Sequence, residues 1–151
     1  MKSVVIYFSA ETGKTRNISK ALAEQTKSTL VEIVPEKPYT EADLKLTNPL
    51  ARCNREKIGK KDIPIAGNVE EWETYDTIYL GFPIWYYGAP NVINSFCKRY
   101  NWSGKKVYIF ATSGGSGIGK TAEKLEPYMK DARITDAKRV SSVGELTSWL
   151  N

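Results

Sequence analysis

The stretch that decides the fold is TIYLGF at residues 77–82, a continuous apolar run rich in β-branched and aromatic side chains. Two similar runs, VVIYF at 4–8 and VYIFA at 107–111, lie far from it along the chain. Short runs that are apolar throughout, instead of alternating with polar residues, are typical of strands covered on both faces of a parallel sheet. A weaker run, LVEIV at 30–34, indicates a fourth strand, and we expect a fifth within 132–140.

Stretches with helical spacing separate these strands. Apolar side chains recur at intervals of three and four after Gly13, after Pro90, after Gly117 and again in 143–150. Strands that alternate with helices predict a three-layer α/β fold around a parallel sheet, and 151 residues suit a single domain spanning 1–151. Residues 35–74 contain four prolines and predict either a solvated helix and turn or a flap over a ligand.

Composition excludes several classes of site. The chain has no histidine, which removes imidazole-based catalysis and imidazole metal sites. Its two cysteines, Cys53 and Cys97, form no CxxC motif and are typical of cytoplasmic thiols, not of a metal site or a disulfide framework. The apolar opening at 4–8 is too short for a signal sequence or a membrane span, so we expect a cytoplasmic protein.

The net charge is 22 − 17 = +5. This excess could attract a phosphate-bearing ligand, nucleic acid or an acidic partner, or simply reflect a solvated surface with extra lysine. No basic stripe with interleaved aromatic residues is present in the sequence, so we expect no nucleic-acid partner.

The loop after the first strand, SAETGKT at 9–15, has the chemistry of a phosphate site. The first N–H groups of the helix that follows are unpaired and carry roughly half a positive charge. The hydroxyls of Ser9, Thr12 and Thr15 can donate to the same anion. A simple helix cap by Thr12 is the alternative.

The loops after the next two strong strands complete a larger site. PIWYYGAP at 83–90 brings three aromatic side chains that could cover a flat ligand, a dimer interface or a small satellite core. TSGGSGIG at 112–119 has four glycines, which allow the backbone to approach a ligand closely, although a flexible connection is the alternative. Ligands of open parallel sheets bind at the carboxyl ends of the strands, where these loops converge. Flavin mononucleotide (FMN) has the phosphate and the flat ring that they require.

The third loop also matches a nucleotide-triphosphate motif. Gly114, Gly119, Lys120 and Thr121 fit GxxxxGK[ST]. The 30 residues after Thr121 contain no convincing strand ending in an aspartate that could hold magnesium, which disfavours this interpretation.

The chain resembles the flavodoxin family over nearly its whole length. The resemblance is carried by YFSAETGKT at 7–15, YDTIYLGFPIW at 75–85 and ATSGGSGIG at 111–119. It implies a doubly wound five-stranded sheet in the order 2-1-3-4-5, with FMN at the switch point. By position it assigns the phosphate to Ser9, Thr12, Gly13, Lys14 and Thr15, one side of the ring to Pro83, Ile84, Trp85, Tyr86, Tyr87 and Gly88, and the other side to Thr112, Ser113, Gly114, Gly115 and Gly117. It implies no metal and no catalytic side chain.

Two departures from the family pattern have consequences. The phosphate loop includes an additional Glu11, whose charge Lys14 could offset. The chain is basic where typical flavodoxins are acidic, and each charge at about 10 Å contributes roughly 0.4 kcal/mol, or about 20 mV, in water. We therefore predict a less negative flavin potential than in acidic relatives.

Three functions follow from this interpretation. The first is an FMN-binding electron carrier between redox partner proteins. The second is an FMN-dependent NAD(P)H:quinone-type oxidoreductase that reduces a small redox-active acceptor. The third is a binding or scaffold protein that has the fold without the cofactor. The chain could act as a monomer or a dimer.

Overall fold

The computed structural model describes residues 2–9, 14–35, 65–67, 69–83, 91–112, 123, 125–140 and 142–145. Five parallel strands form the main sheet: β1 (Ser3–Tyr7), β2 (Thr29–Glu32), β5 (Thr77–Pro83), β6 (Lys106–Thr112) and β7 (Arg133–Arg139). Two-residue strands β3 (Val34–Pro35) and β4 (Ile65–Ala66) form a separate antiparallel pair. The helices are α1 (Lys14–Thr26) and α2 (Asn91–Lys98), with 3₁₀ turns at Trp72–Thr74 and Glu126–Tyr128.

The strand order of the main sheet is β2-β1-β5-β6-β7. Counted within that sheet alone, the order is 2-1-3-4-5, so the predicted doubly wound topology is confirmed. The fifth strand lies at Arg133–Arg139, inside the predicted range. Its pairing with β6 shifts register between Val107 and Tyr108.

Burial on both sides of the sheet explains the continuous apolar runs. Val5 of β1 packs with Ile18 and Leu22 of α1 on one face. Val4 and Ile6 belong to the larger cluster on the other face, which includes Phe96 of α2. The two helices therefore cover opposite faces, and the three-layer prediction is confirmed.

The remaining helical predictions are met only in part by the described residues. Leu125 and Met129 are buried, as their predicted stripe requires. Residues 143–145 are helical, as predicted. Val143 is 46% exposed, however, so the prediction that it packs in the core is wrong. The other residues of that C-terminal stripe, and most of the predicted flap at 35–74, lie outside the described residues.

An aromatic cluster closes the sheet at the amino ends of its strands. The Nε1 of Trp72 donates to the carbonyl of Asn101 (2.8 Å), and the Nε1 of Trp102 donates to that of Cys97 (2.9 Å). The buried Nζ of Lys105 donates to the carbonyls of Trp72 (3.1 Å) and Tyr75 (2.5 Å). It also lies 4.9 Å from the centre of the Trp72 ring. This end of the sheet is occupied by structural contacts, which leaves the carboxyl edge for a ligand.

Candidate functional site

The carboxyl edge of the sheet has a switch point between β1 and β5. From β1 the chain crosses to β2 on one side, and β5 pairs with β1 on the other side. Connections that leave in opposite directions open a crevice at the strand ends, where open α/β sheets bind their ligands. The three predicted ligand loops begin at this edge, directly after β1, β5 and β6.

Backbone hydrogen bonds extend the sheet beyond the strand ends and fix where the chain leaves it. The N–H of Phe8 donates to the carbonyl of Gly81 at 3.0 Å. The N–H of Val140 donates to that of Ala111 at 2.8 Å. The first of these bonds fixes where the chain leaves β1 for the first predicted loop, and the second extends β7 along β6.

Gly81 of β5 makes room for a buried ring below this edge. A Cβ on Gly81 would meet three ring atoms of Phe110, each closer than the 3.0 Å that real Cβ atoms keep. Phe110 is fully buried beneath α1 and belongs to the core cluster of Ile18 and Leu22. The missing side chain of Gly81 thus leaves room for the Phe110 ring in the core cluster beneath α1.

Two hydroxyls meet at the edge. The Oγ1 atoms of Thr15, in the first turn of α1, and Thr112, the last residue of β6, lie 2.7 Å apart and are almost fully buried. The Oγ of Ser9 accepts a hydrogen bond from the backbone N–H of Arg16 at 3.3 Å. The two ends of the first loop are thereby tied together, and its helix is tied to the start of the third loop.

A cation also lies in the first turn of α1. The Arg16 guanidinium contacts the Glu32 carboxylate, at the end of β2, at 2.9 Å. Hydrogen bonding to Glu32, and then to Tyr7, raises the pKa of Arg16. The first turn holds no acidic residue, so nothing on the helix itself opposes an anion at its start. The sequence interpretation passed over Arg16, although its place directly after Thr15 put it in that turn.

The structure describes five of the predicted site residues: Ser9, Lys14, Thr15, Pro83 and Thr112. Lys14 begins α1, and Pro83 is the register partner of Thr112 at the ends of β5 and β6. The edge thus brings residues of all three predicted loops together. The other predicted residues lie outside the described part of the chain: Thr12, Gly13, Ile84, Trp85, Tyr86, Tyr87, Gly88, Ser113, Gly114, Gly115 and Gly117.

Other kinds of site are not found among the described residues. No group of three or more carboxylate or thiol side chains in these ranges is placed to hold a metal ion. No helix within them is long and apolar enough to cross a membrane. A small cavity of about 80 Å³ beside β2 and β4 is lined by Ile33, Ile65 and Tyr100, among others. It is well below the roughly 300 Å³ at which ligand pockets begin.

Comparison with known proteins identifies the class. The flavodoxin family model matches residues 2–151, and the chain belongs to the flavodoxin family. The crystal structure of a proposed flavoprotein from Bacteroides eggerthii DSM 20697 is 36% identical, with a TM-score of 0.91, and the match covers 99% of this chain and 95% of that one.

Two more distant relatives are named for FMN. A flavoprotein from Lactobacillus acidophilus NCFM, solved in complex with FMN, is 20% identical with a TM-score of 0.72, and the match covers 99% of each chain. An FMN-dependent NADH:quinone oxidoreductase from Erythrobacter litoralis (strain HTCC2594) is 24% identical over an alignment of 155 positions, gaps included, that covers 85% of this chain and 79% of that protein.

Proposed function

We propose that the chain binds FMN across the carboxyl edge of its sheet and carries electrons between redox partner proteins. The observation that carries the proposal is the buried contact between Thr15 and Thr112. It joins the helix that follows the phosphate loop to the strand that leads into the glycine-rich loop. A ligand with a phosphate at one end and a flat ring at the other is the kind of molecule that needs those loops in one place.

The described residues fit the phosphate end of FMN. The start of α1 offers backbone N–H groups and the hydroxyl of Thr15, without an acidic residue in its first turn. We assign the phosphate to Ser9, Thr12, Gly13, Lys14 and Thr15. We assign the ring to 83–88 on one side and to Thr112, Ser113, Gly114, Gly115 and Gly117 on the other.

The residues of the site bind and orient, and the cofactor supplies the redox chemistry when it is bound. Thr15 and the N–H groups at the start of α1 would donate hydrogen bonds to the phosphate and so hold that end of the molecule near β1. The ends of β5 and β6 are held in register through Pro83 and Thr112, so the two loops that would enclose the ring start side by side. Glu32, the carboxylate at the end of β2, is paired with Arg16 at this edge.

Cofactor binding is tested by titrating the cofactor-free protein with FMN and following the quenching of flavin fluorescence. We expect saturable one-to-one binding, weakened in Thr15→Val. Thr77→Val is the matched control, since Thr77 is also buried but lies at the amino end of β5 and bonds Asp76. If the unchanged protein does not bind FMN, the proposal fails and the cofactor-free scaffold function takes its place.

A second candidate is an FMN-dependent NAD(P)H:quinone oxidoreductase, favoured by the name of the Erythrobacter litoralis relative. The two functions separate in one pair of assays on the FMN-loaded protein. A carrier, once reduced chemically, passes electrons rapidly to an added redox protein and oxidises NADH or NADPH slowly, with or without a quinone. Many turnovers of NADH or NADPH with a quinone acceptor would overturn the carrier function and establish the enzyme.

A further inference from the structure

The hydroxyls of Thr15 and Thr112 form a buried hydrogen bond at the carboxyl edge of the sheet. Thr15 and Thr112 are 2% and 4% exposed, and their Oγ1 atoms lie 2.7 Å apart. Either oxygen could be the donor. Within the described ranges, each hydroxyl has the other as its hydrogen-bond partner.

The direction of this hydrogen bond decides which of the two threonines keeps a hydroxyl proton that the pair does not use. Each threonine hydroxyl has one proton and two lone pairs, so the contact uses one of two available protons. If Thr15 donates to Thr112, the spare proton is on Thr112, at the end of the strand. If Thr112 donates to Thr15, the spare proton is on Thr15, in the first turn of the helix that begins at the predicted phosphate loop.

The fold alone does not require these hydroxyls. A pair of valines has nearly the same shape, and replacing both partners of a buried hydrogen bond by apolar groups is often neutral for stability. A buried hydroxyl whose proton has no acceptor is costly, and an acceptor placed beside it lowers the free energy. A phosphate dianion at the start of α1 is such an acceptor for Thr15.

We propose that Thr112 is a positioning residue for the cofactor phosphate. It donates its proton to Thr15 and thereby directs the Thr15 proton to a phosphate oxygen. Thr112 suits this role because it belongs to a strand whose register with β5 continues to its last residue, opposite Pro83. The inference rests on the proposed binding of FMN, and it assigns to Thr112 an effect on a phosphate that its own hydroxyl does not contact.

The test compares FMN with riboflavin, which has the same ring and no phosphate. We expect Thr112→Val to weaken FMN binding about ten times more than it weakens riboflavin binding, as the loss of one charge-assisted hydrogen bond to the phosphate implies. Thr112→Ser keeps the hydroxyl and should restore the ratio of the two affinities. The phosphorus NMR resonance of bound FMN should move in Thr112→Val and return in Thr112→Ser.

Ser19→Ala provides the matched control. Ser19 lies one turn beyond Thr15 on α1 and is fully buried, and its Oγ has no hydrogen-bond partner among the described residues. Removing its hydroxyl should change neither affinity. The double variant Thr15→Val with Thr112→Val should unfold at nearly the same urea concentration as the unchanged protein and show a reduced preference for FMN over riboflavin.

Three results would overturn the inference. If Thr112→Val weakens FMN and riboflavin equally, Thr112 acts on the ring loop and not on the phosphate. If the phosphorus resonance does not move, the proton of Thr15 is not controlled by Thr112. Failure of the unchanged protein to bind FMN is a different result, because it overturns the proposed function together with this inference.

Discussion

Gly81→Ala is the substitution whose effect the structure fixes most sharply. The added Cβ would lie within 3.0 Å of three Phe110 ring atoms, the most distant of them Cε1 at 2.7 Å. Phe110 is 0% exposed, so its ring has no solvent to move into. Overpacking of a close-packed core costs about 1–3 kcal/mol, against the 0.5–1 kcal/mol that alanine usually gains over glycine in a strand.

We therefore expect Gly81→Ala to lower the free energy of unfolding by about 2 kcal/mol. In a chain of this size that loss corresponds to a fall in Tm of roughly 4–8 °C. The damage should reach the site, because the Gly81 carbonyl accepts the hydrogen bond from Phe8, next to Ser9. Urea denaturation followed by circular dichroism measures the stability, and FMN titration of the same samples measures the site.

A rescue and a control accompany this measurement. Phe110→Leu in the Gly81→Ala background should recover part of the lost stability, since the two positions are in contact and their effects should not add. Gly144→Ala is the control, because its Cβ would make only an ordinary contact, with Ser142 Oγ at 3.8 Å. Equal stabilities of Gly81→Ala and the unchanged protein would refute the reasoning, as would strict additivity in the double variant.

Four further outcomes are expected. Ser19→Ala should raise the free energy of unfolding, measured in urea titrations, by about 1 kcal/mol. It removes a buried hydroxyl that has no partner among the described residues, and it improves helix propensity. Destabilisation would show that the hydroxyl is hydrogen-bonded. Burial lowers the pKa of Lys105 below 10.5, so the folded state loses this proton before the unfolded state does. The stability of the unchanged protein relative to Lys105→Met should therefore rise as the pH increases toward 10.5, and a flat difference would contradict this. Burial also raises the pKa of the Cys97 thiol, so mass spectrometry should find it unmodified by iodoacetamide until urea unfolds the chain. Anaerobic redox titration of the FMN-loaded protein should give less negative potentials than those of acidic flavodoxins, and very low potentials would argue against the effect of the +5 charge.

The sheet was predictable because its central strands are buried on both faces. Continuous apolar runs at 4–8, 77–82 and 107–111 correspond to β1, β5 and β6. The edge strand β7 has the sequence RITDAKR. Because most of its side chains are polar, it does not form a continuous apolar run, and only an approximate range could be predicted for it. The stacking of Tyr79 on Tyr108, with ring centres 5.1 Å apart, was not predicted, because it depends on the register between two strands.

The site was predictable in its residue types but not in its contacts. Hydroxyls after β1 and at the end of β6 were recognised from local sequence. Their pairing across 97 positions depends on the placement of α1 against β6, which no local pattern encodes. The contact between Arg16 and Glu32 has the same origin, since it requires β2 to lie beside β1.

The hydrogen bond from Phe8 to Gly81 has a consequence for the length of the loop that follows β1. The chain leaves the sheet at a point fixed by main-chain bonding, and α1 is seated by its packing over Phe110. An insertion between those two anchors, such as the additional Glu11, lengthens the chain between Phe8 and α1 without removing the contacts of either anchor. Lengthening so short a connection by one residue adds well below about 0.6 kcal/mol of closure entropy. A change of one residue in the length of this loop therefore costs little free energy compared with the packing that holds α1 on the sheet.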